Sequence, residues 1–373
     1  MITILAHYER ISLFHTMLPF LLKNKENRKK TFHFTQSAKW CLEKDKNDIL
    51  FMERCFQYRE PQDLKDSELE LLKKLRNKYK TIVFFCGQPE AGTNRLDILP
   101  FIDRLFYKSV FSDYENYKKS LYGKNLFADY YHKNYGITDN PEYINHGNFK
   151  QEDFKKIKLS WSIGLGIYPR WNWPQRLGTI IARQNKPALG QFIGGKSLNR
   201  AHFPGISGTR SISDMRSISV HSRIDPVTCP SIAYQRILFL KIISELESDK
   251  QKLFLTGTVP QKQYYKELLD SKIVLSPFGW GEVCFRDFEA ILSRALLLKP
   301  DMSHLVTWPN VYIPYETYVP LKWDGSDLLE QCERYLNDEN ERLRIIHNAY
   351  EQYRNELASL KNRADSLLGE YYL

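Results

Sequence analysis

No Asp-x-Asp triplet occurs anywhere in the chain, so the paired carboxylates that commonly clamp a divalent ion onto a diphosphate are missing. The six cysteines stand at 41, 55, 86, 229, 284 and 332, too scattered for a Cys-x-x-Cys or Cys/His metal pattern. They read as separate thiols of a reducing compartment. Nine histidines include no His-x-x-x-His or His-Glu-x-x-His pair, which excludes the common zinc hydrolase pattern, and no metal site is expected. P-loop and Gly-x-Ser-x-Gly motifs are also missing. The longest apolar stretch, 11–22, is broken by Ser12, His15, Thr16 and Pro19 and falls short of the roughly 20 residues that cross a bilayer. The opening MITILAHYER has no basic leader and puts His7, Glu9 and Arg10 where a signal peptide needs apolar residues. A cytoplasmic location is expected.

What is present is a chain of 373 residues, long enough for two domains with their own cores. Apolar residues at 42% and charged residues at 26% are ordinary globular usage, which excludes wholesale disorder. Lys and Arg exceed Asp and Glu by 54 − 44 = 10, a balance that suits an anionic partner: a nucleotide, a nucleic acid or an acidic membrane surface.

Residues 2–6 suit a buried strand and 11–22 an amphipathic helix. Strands are predicted at 31–35 and 49–51, helices at 38–44 and 67–79, and another strand from 81 into a Gly/Pro turn at 87–92. This alternation predicts βαβ units and a parallel sheet. From 104 to 160 the pattern weakens, and irregular structure with short helices is expected. A helix at 175–184 leads to Asn185-Lys186-Pro187, read as a domain boundary. The second half reads as strand 188–193, helix 231–246, strand 252–256, helix 261–269, strand 272–276, helix 286–293, strand 295–299, and final helices 327–336 and 340–368. No repeat or low-complexity tract appears.

The sharpest feature covers 264–310, where a helix, a buried strand and a glycine-containing loop lead to a helix bearing Arg286, Asp287 and Glu289. Such loops at the carboxyl ends of strands bind ligands in open α/β sheets. Backbone N–H groups of the turn 279–281 and of the helix start suit phosphate oxygens, and Glu289 suits ribose hydroxyls. Segment 188–223 adds Gly194, Gly195 and Lys196 after a predicted strand, then Arg210, Arg216 and Arg223. Guanidinium groups bind phosphate in bidentate fashion, and glycines beside Lys196 and Arg210 permit close approach.

Ser271-Lys272, the strand, Ser276-Pro277, Gly279, Arg286-x-x-Glu289-Ala290 and a short apolar strand ending at Pro300 together form an ordered pattern. It resembles the nucleotide-sugar half of GT-B glycosyltransferases, most closely the exostosin-like arrangement, over 252–300. The first half is similar at fold level only. The resemblance implies an α/β chain of two Rossmann-like domains facing a cleft, with a C-terminal helix returning to the first domain. The partition would be 1–185 on the acceptor side, 186–340 as the donor domain and 341–373 as the helix. It implies a metal-independent transferase, in keeping with the missing Asp-x-Asp of GT-A enzymes, with a nucleotide-sugar as substrate and no cofactor. The acceptor would be a glycan or a lipid-linked sugar of a surface polysaccharide. Glu289 would hold the donor's ribose, in a donor site with Ser276, Pro277, Gly279, Gly281 and Arg286. Many retaining members carry a second glutamate eight positions earlier; here that position is Gly281 and Glu282 follows it. Retaining and inverting chemistry both stay open, with Glu282 a catalytic candidate.

A base for the acceptor hydroxyl belongs in the first half. His7 and Glu9 follow the first strand, Glu90 follows the strand ending near Cys86, and Asp103 is placed on the next helix. Tyr130-Tyr131 and Trp171-Asn172-Trp173 suit either sugar stacking or core packing. Lys23, Lys25, Arg28, Lys29 and Lys30 directly follow the apolar helix, an arrangement suited to peripheral contact with an anionic membrane. Two rivals are a basic nucleic-acid-binding protein, for which no recognised module is present, and a non-catalytic nucleotide-sugar-binding protein.

Overall fold

All five residues of β1 (Ile2–Ala6) are buried, and the strand has parallel partners on both sides, β2 (Phe32–Thr35) and β3 (Ile49–Glu53). Continuous apolar runs are what strands covered on both faces require. β4 (Thr81–Phe85), β5 (Arg104–Tyr107) and β6 (Ile157–Leu159) extend a wholly parallel sheet of order β2-β1-β3-β4-β5-β6. The computed structural model describes residues 1–26, 31–53, 66–87, 96–123, 125–140, 142–145, 150–165, 173–194, 211–225 and 229–371. A second parallel sheet runs β8-β7-β9-β10-β11, from β7 (Ile218–His221), β8 (Phe254–Leu255), β9 (Ser271–Leu275), β10 (Leu296–Pro300) and β11 (Val319–Leu321). Each sheet reverses its order between its first and third strands, the switch point where α/β folds open a crevice at the strands' carboxyl ends.

The chain divides into two units. The first is Met1–Ser120, His146–Pro204 and Leu357–Leu373; the second is Leu121–Asn145 and Gly205–Glu356. In the first, Phe20 meets Phe32, Phe51, Phe85 and Trp161 with ring centroids 5.1–5.9 Å apart, which accounts for much of the aromatic content there. The C-terminal helix Leu360–Leu368 belongs to this unit, where Arg363 Nη2 donates to the Leu159 carbonyl (2.9 Å) and Lys23 pairs with Asp365 (2.6 Å). In the second, Val220, Phe239, Ile273, Leu275, Leu296 and Leu298 form the centre of the core.

Several expectations change. Residues 188–193 are no strand but lie in the helix Pro187–Gly194, which crosses the helix Trp173–Ala182. A Cβ on Gly178 would stand 2.2 Å from the Gly190 carbonyl, so these glycines let two helix backbones touch, and Pro187 opens the second helix. That helix stays with the first unit, so the boundary expected at 185 lies further on. Residues 121–145 pack with the second unit instead: Asp139 caps the helix Pro230–Glu245 through Ser231 N (2.8 Å), and Gln235 donates to Tyr131 Oη (2.7 Å). β5 and β6 lie in the stretch read as irregular. Asp103 is on no helix; it precedes β5, pairs with Arg76 (2.6 Å) and accepts from Ile82 N (2.8 Å).

The apolar side chains of 11–22 face inward, with Leu13, Phe14, Met17, Leu18, Phe20 and Leu21 all buried, so the helix packs on its own sheet. Its first part, Ser12–Thr16, is wound as a wide π-type turn. No helix among the described residues is long and apolar enough to cross a membrane.

Candidate functional site

At the switch point of the second sheet, β7 ends in His221 and continues to Arg223, while β9 ends before the loop 276–284. That loop is anchored by Asp287, which is completely buried. Asp287 accepts from Ser276 Oγ (2.6 Å), Cys284 N (2.9 Å) and Tyr312 Oη (2.6 Å), and pairs with the equally buried Lys299 (3.1 Å). A buried carboxylate is tolerated when its lone pairs are met in this way. Asp287 thus fixes both the loop and the start of the helix Phe285–Leu292.

Two arginines stand around this loop. Arg236 donates to the carbonyls of Phe278 (2.7 Å) and Asp225 (2.7 Å), and burial lowers its pKa. Arg286 donates to the Arg223 carbonyl (2.5 Å); burial works against its charge, but nearby Tyr264 and Glu289 raise its pKa overall. Among the described residues no carboxylate lies within ion-pair distance of either guanidinium. Arg223, by contrast, is held in a fork by Glu267 at 2.9 Å on both arms. A Cβ at Gly279 would come within 2.8 Å of Arg236 Nη2, so a glycine here is needed for the guanidinium to lie against the loop. His221 is buried, and its pKa falls to about 3 through burial and the neighbouring Arg286 charge, which keeps its imidazole neutral. Glu289, one turn along the same helix as Arg286, accepts from Tyr264 Oη and Tyr265 Oη, both at 2.9 Å.

The structure therefore brings together Ser276, Pro277, Gly279, Gly281, Glu282, Arg286 and Glu289 on one loop and helix start. None of the other described candidates lies on that loop or helix. Gly194 ends a helix of the first unit, where a Cβ would stand 2.4 Å from the Phe14 ring; its close approach is to an aromatic ring, not a strand-end phosphate turn. Arg216 binds the carbonyls of Ser271 (2.9 Å) and Ser293 (2.9 Å), which makes it a tie between elements. His7 and Glu9 are exposed in the first unit, 4.0 Å apart. Gly195, Lys196, Arg210 and Glu90 lie outside the described residues. Arg236, Lys299 and His304 were not singled out from sequence. Arg236 sits in a helix whose pattern signals only packing, and Lys299 interrupts a strand that reads as apolar.

Residues 238–369 match a protein-family model described as glycosyl transferase-like. The matched span runs from within the helix Pro230–Glu245 through the C-terminal helix Leu360–Leu368. Two parallel, Rossmann-like sheets in one chain are the GT-B plan. Among solved structures the chain is similar to Anabaena HepE in complex with UDP, at 8% identity over 99% of this chain and 100% of that one, with a TM-score of 0.47. It is also similar to a glycosyltransferase from Rickettsia africae ESF-5, at 10% identity over 100% and 97% of the two chains, with a TM-score of 0.46. A DNA-modifying β-glucosyltransferase is similar at 10% identity over 99% and 98%, with a TM-score of 0.42. No curated protein matches the chain. Within the matched span fall the loop 276–284, Arg286, Glu289, Lys299 and His304; Arg223 and Arg236 precede it.

Proposed function

We propose that this chain transfers a sugar from a nucleotide-sugar to a hydroxyl acceptor and does so without a metal ion. The observation that carries the reading is the pair Arg236 and Arg286, half-buried beside a helix start and bonded to carbonyls instead of carboxylates. Departure of a nucleotide leaves negative charge on phosphate, and preorganised guanidinium and backbone N–H groups stabilise charge that develops in the transition state. Arg236 and Arg286 would hold the phosphates, and Glu289 would accept from the ribose. The loop backbone at Ser276, Pro277, Gly279 and Gly281 would line the same site. The exostosin-like order of 271–300 supports this by its spacing. A glycan or lipid-linked acceptor, as in surface polysaccharide synthesis, would need a base for its hydroxyl, for which His7, Glu9 and Glu90 are the sequence candidates. Contact with an anionic membrane would rest on the basic run 23–30, since the apolar side chains before it are buried; salt-sensitive binding to anionic liposomes tests that part.

A thermal-shift panel of UDP, GDP, TDP and CMP with their sugar conjugates tests the donor reading, because a ligand of the folded state raises apparent stability. One nucleotide family is expected to stabilise the protein. Stabilisation by oligonucleotides and by no nucleotide would replace the reading with nucleic-acid binding. Once a donor is found, transfer should persist in excess EDTA; loss restored by manganese would refute metal independence.

A further inference from the structure

Glu282 is completely buried in the loop after β9, and neither of its carboxylate oxygens has a hydrogen-bond partner among the described residues. Asp287, five positions on and equally buried, has its oxygens taken by Ser276, Cys284, Tyr312 and Lys299. One carboxylate is a finished structural anchor and the other is not. Leaving a buried polar group without a partner is costly, more so if it is charged, which argues for a ligand that completes it. Facing Glu282 is His304, on the segment after β10, with Nε2 at 3.6 Å from Oε1. Both ring nitrogens of His304 also lack a hydrogen-bond partner among the described residues, and only 10% of the side chain is exposed.

A separation of 3.6 Å is too long for a direct hydrogen bond. It suits one hydroxyl lying against both groups, donating its proton to the carboxylate and accepting from an imidazole N–H. The surroundings fit a sugar as well. The His304 ring lies edge-on to Trp323 with centroids 5.0 Å apart, and Phe278 is 5.8 Å from Trp323, so apolar ring surface adjoins the polar pair. Both residues follow the carboxyl ends of neighbouring strands, Glu282 on the loop whose Phe278 carbonyl receives Arg236.

We propose that Glu282 and His304 jointly bind one hydroxyl of the transferred sugar and thereby select donors that carry it. The proposal rests on the donor-site reading above. In the turn 279–281 beside Glu282, Trp280 is 48% exposed between two glycines.

The test compares, by calorimetry on the full chain, affinity for the nucleotide-sugar that stabilises the protein in the thermal-shift panel with affinity for its nucleotide alone. In Glu282→Gln the ratio of the two affinities should fall about tenfold or more, while nucleotide affinity stays within about twofold. His304→Phe, which keeps ring volume and loses the N–H, should lower the ratio similarly. His304→Gln, which keeps a donor, should recover most of it; a role in packing alone predicts the reverse order. Equal weakening of nucleotide and nucleotide-sugar, or no change in Glu282→Gln, overturns the proposal and leaves the donor reading standing. Wild-type protein that binds no nucleotide overturns both.

Discussion

Glu289 and Glu282 lie seven positions apart and meet different surroundings. Glu289 is steadied by Tyr264 and Tyr265, and a carboxylate oxygen can accept more than one hydrogen bond. Glu289→Ala should therefore weaken nucleotide binding by about 1.5 to 3 kcal/mol, the range for hydrogen bonds to a charged group. Unaltered affinity in calorimetry, with the thermal transition intact, would remove Glu289 from the site. Gly279→Ala acts from the other side, since its methyl group would collide with the Arg236 guanidinium. Weaker nucleotide binding with a retained fold is the outcome expected there, and full affinity would show that Arg236 is not a phosphate ligand. At this scale the sequence was legible where chemistry and spacing coincide, at Arg286 and Glu289. Arg236 and His304 were hidden because they come from a distant helix and from the segment after the next strand, and only the folded sheet edge brings them to this loop.

Among the elements, the loop 276–284 and the helix Phe285–Leu292 depend most on a single group. Removing Asp287 leaves Lys299 buried beside Phe278 and Tyr312 with no carboxylate, and also frees Ser276, Cys284 N and Tyr312. Loss of one partner of a buried ion pair costs about 3 to 5 kcal/mol. Asp287→Ala should lower urea stability by that amount, whereas Asp287→Ala with Lys299→Met should restore a large part of it. A double variant no better than the single one would show that the hydrogen bonds to the loop, and not the stranded charge, set the cost. Strands such as Ile2–Ala6 and Ser271–Leu275 were readable because burial on both faces leaves an unbroken apolar run. Ile218–His221 was not, since its serine-rich neighbourhood resembles a loop and its pairing partners lie more than thirty residues away in sequence. Pro187–Gly194 was misread for the opposite reason: a short apolar run fits a strand or a helix equally, and the Gly178 to Gly190 crossing that decides it is a tertiary contact.

For the whole molecule, each unit carries a buried, neutral histidine: His15 in the first, its pKa well below the ordinary value through burial and the Lys108 and Arg10 charges, and His221 in the second. A histidine whose folded pKa lies below its unfolded value near 6.5 is protonated in the unfolded chain first. The unfolded state then binds more protons as pH falls, so the stability this group confers is complete above about pH 6.5 and declines below it. For His221, with a folded value of about 3, the decline continues to that pH. At pH 5 the loss from His221 alone comes to about 2 kcal/mol, from 1.36 kcal/mol for each pH unit below 6.5. Urea midpoints at pH 7.5 and pH 5.0 test this when wild type is set against His221→Gln, because carboxylate contributions are common to both and cancel in the comparison. The variant should lose about 2 kcal/mol less than wild type over that interval. An equal loss would mean that His221 accepts a proton within the fold, and Arg286 would then face a second positive charge at the place where this site is meant to hold an anion.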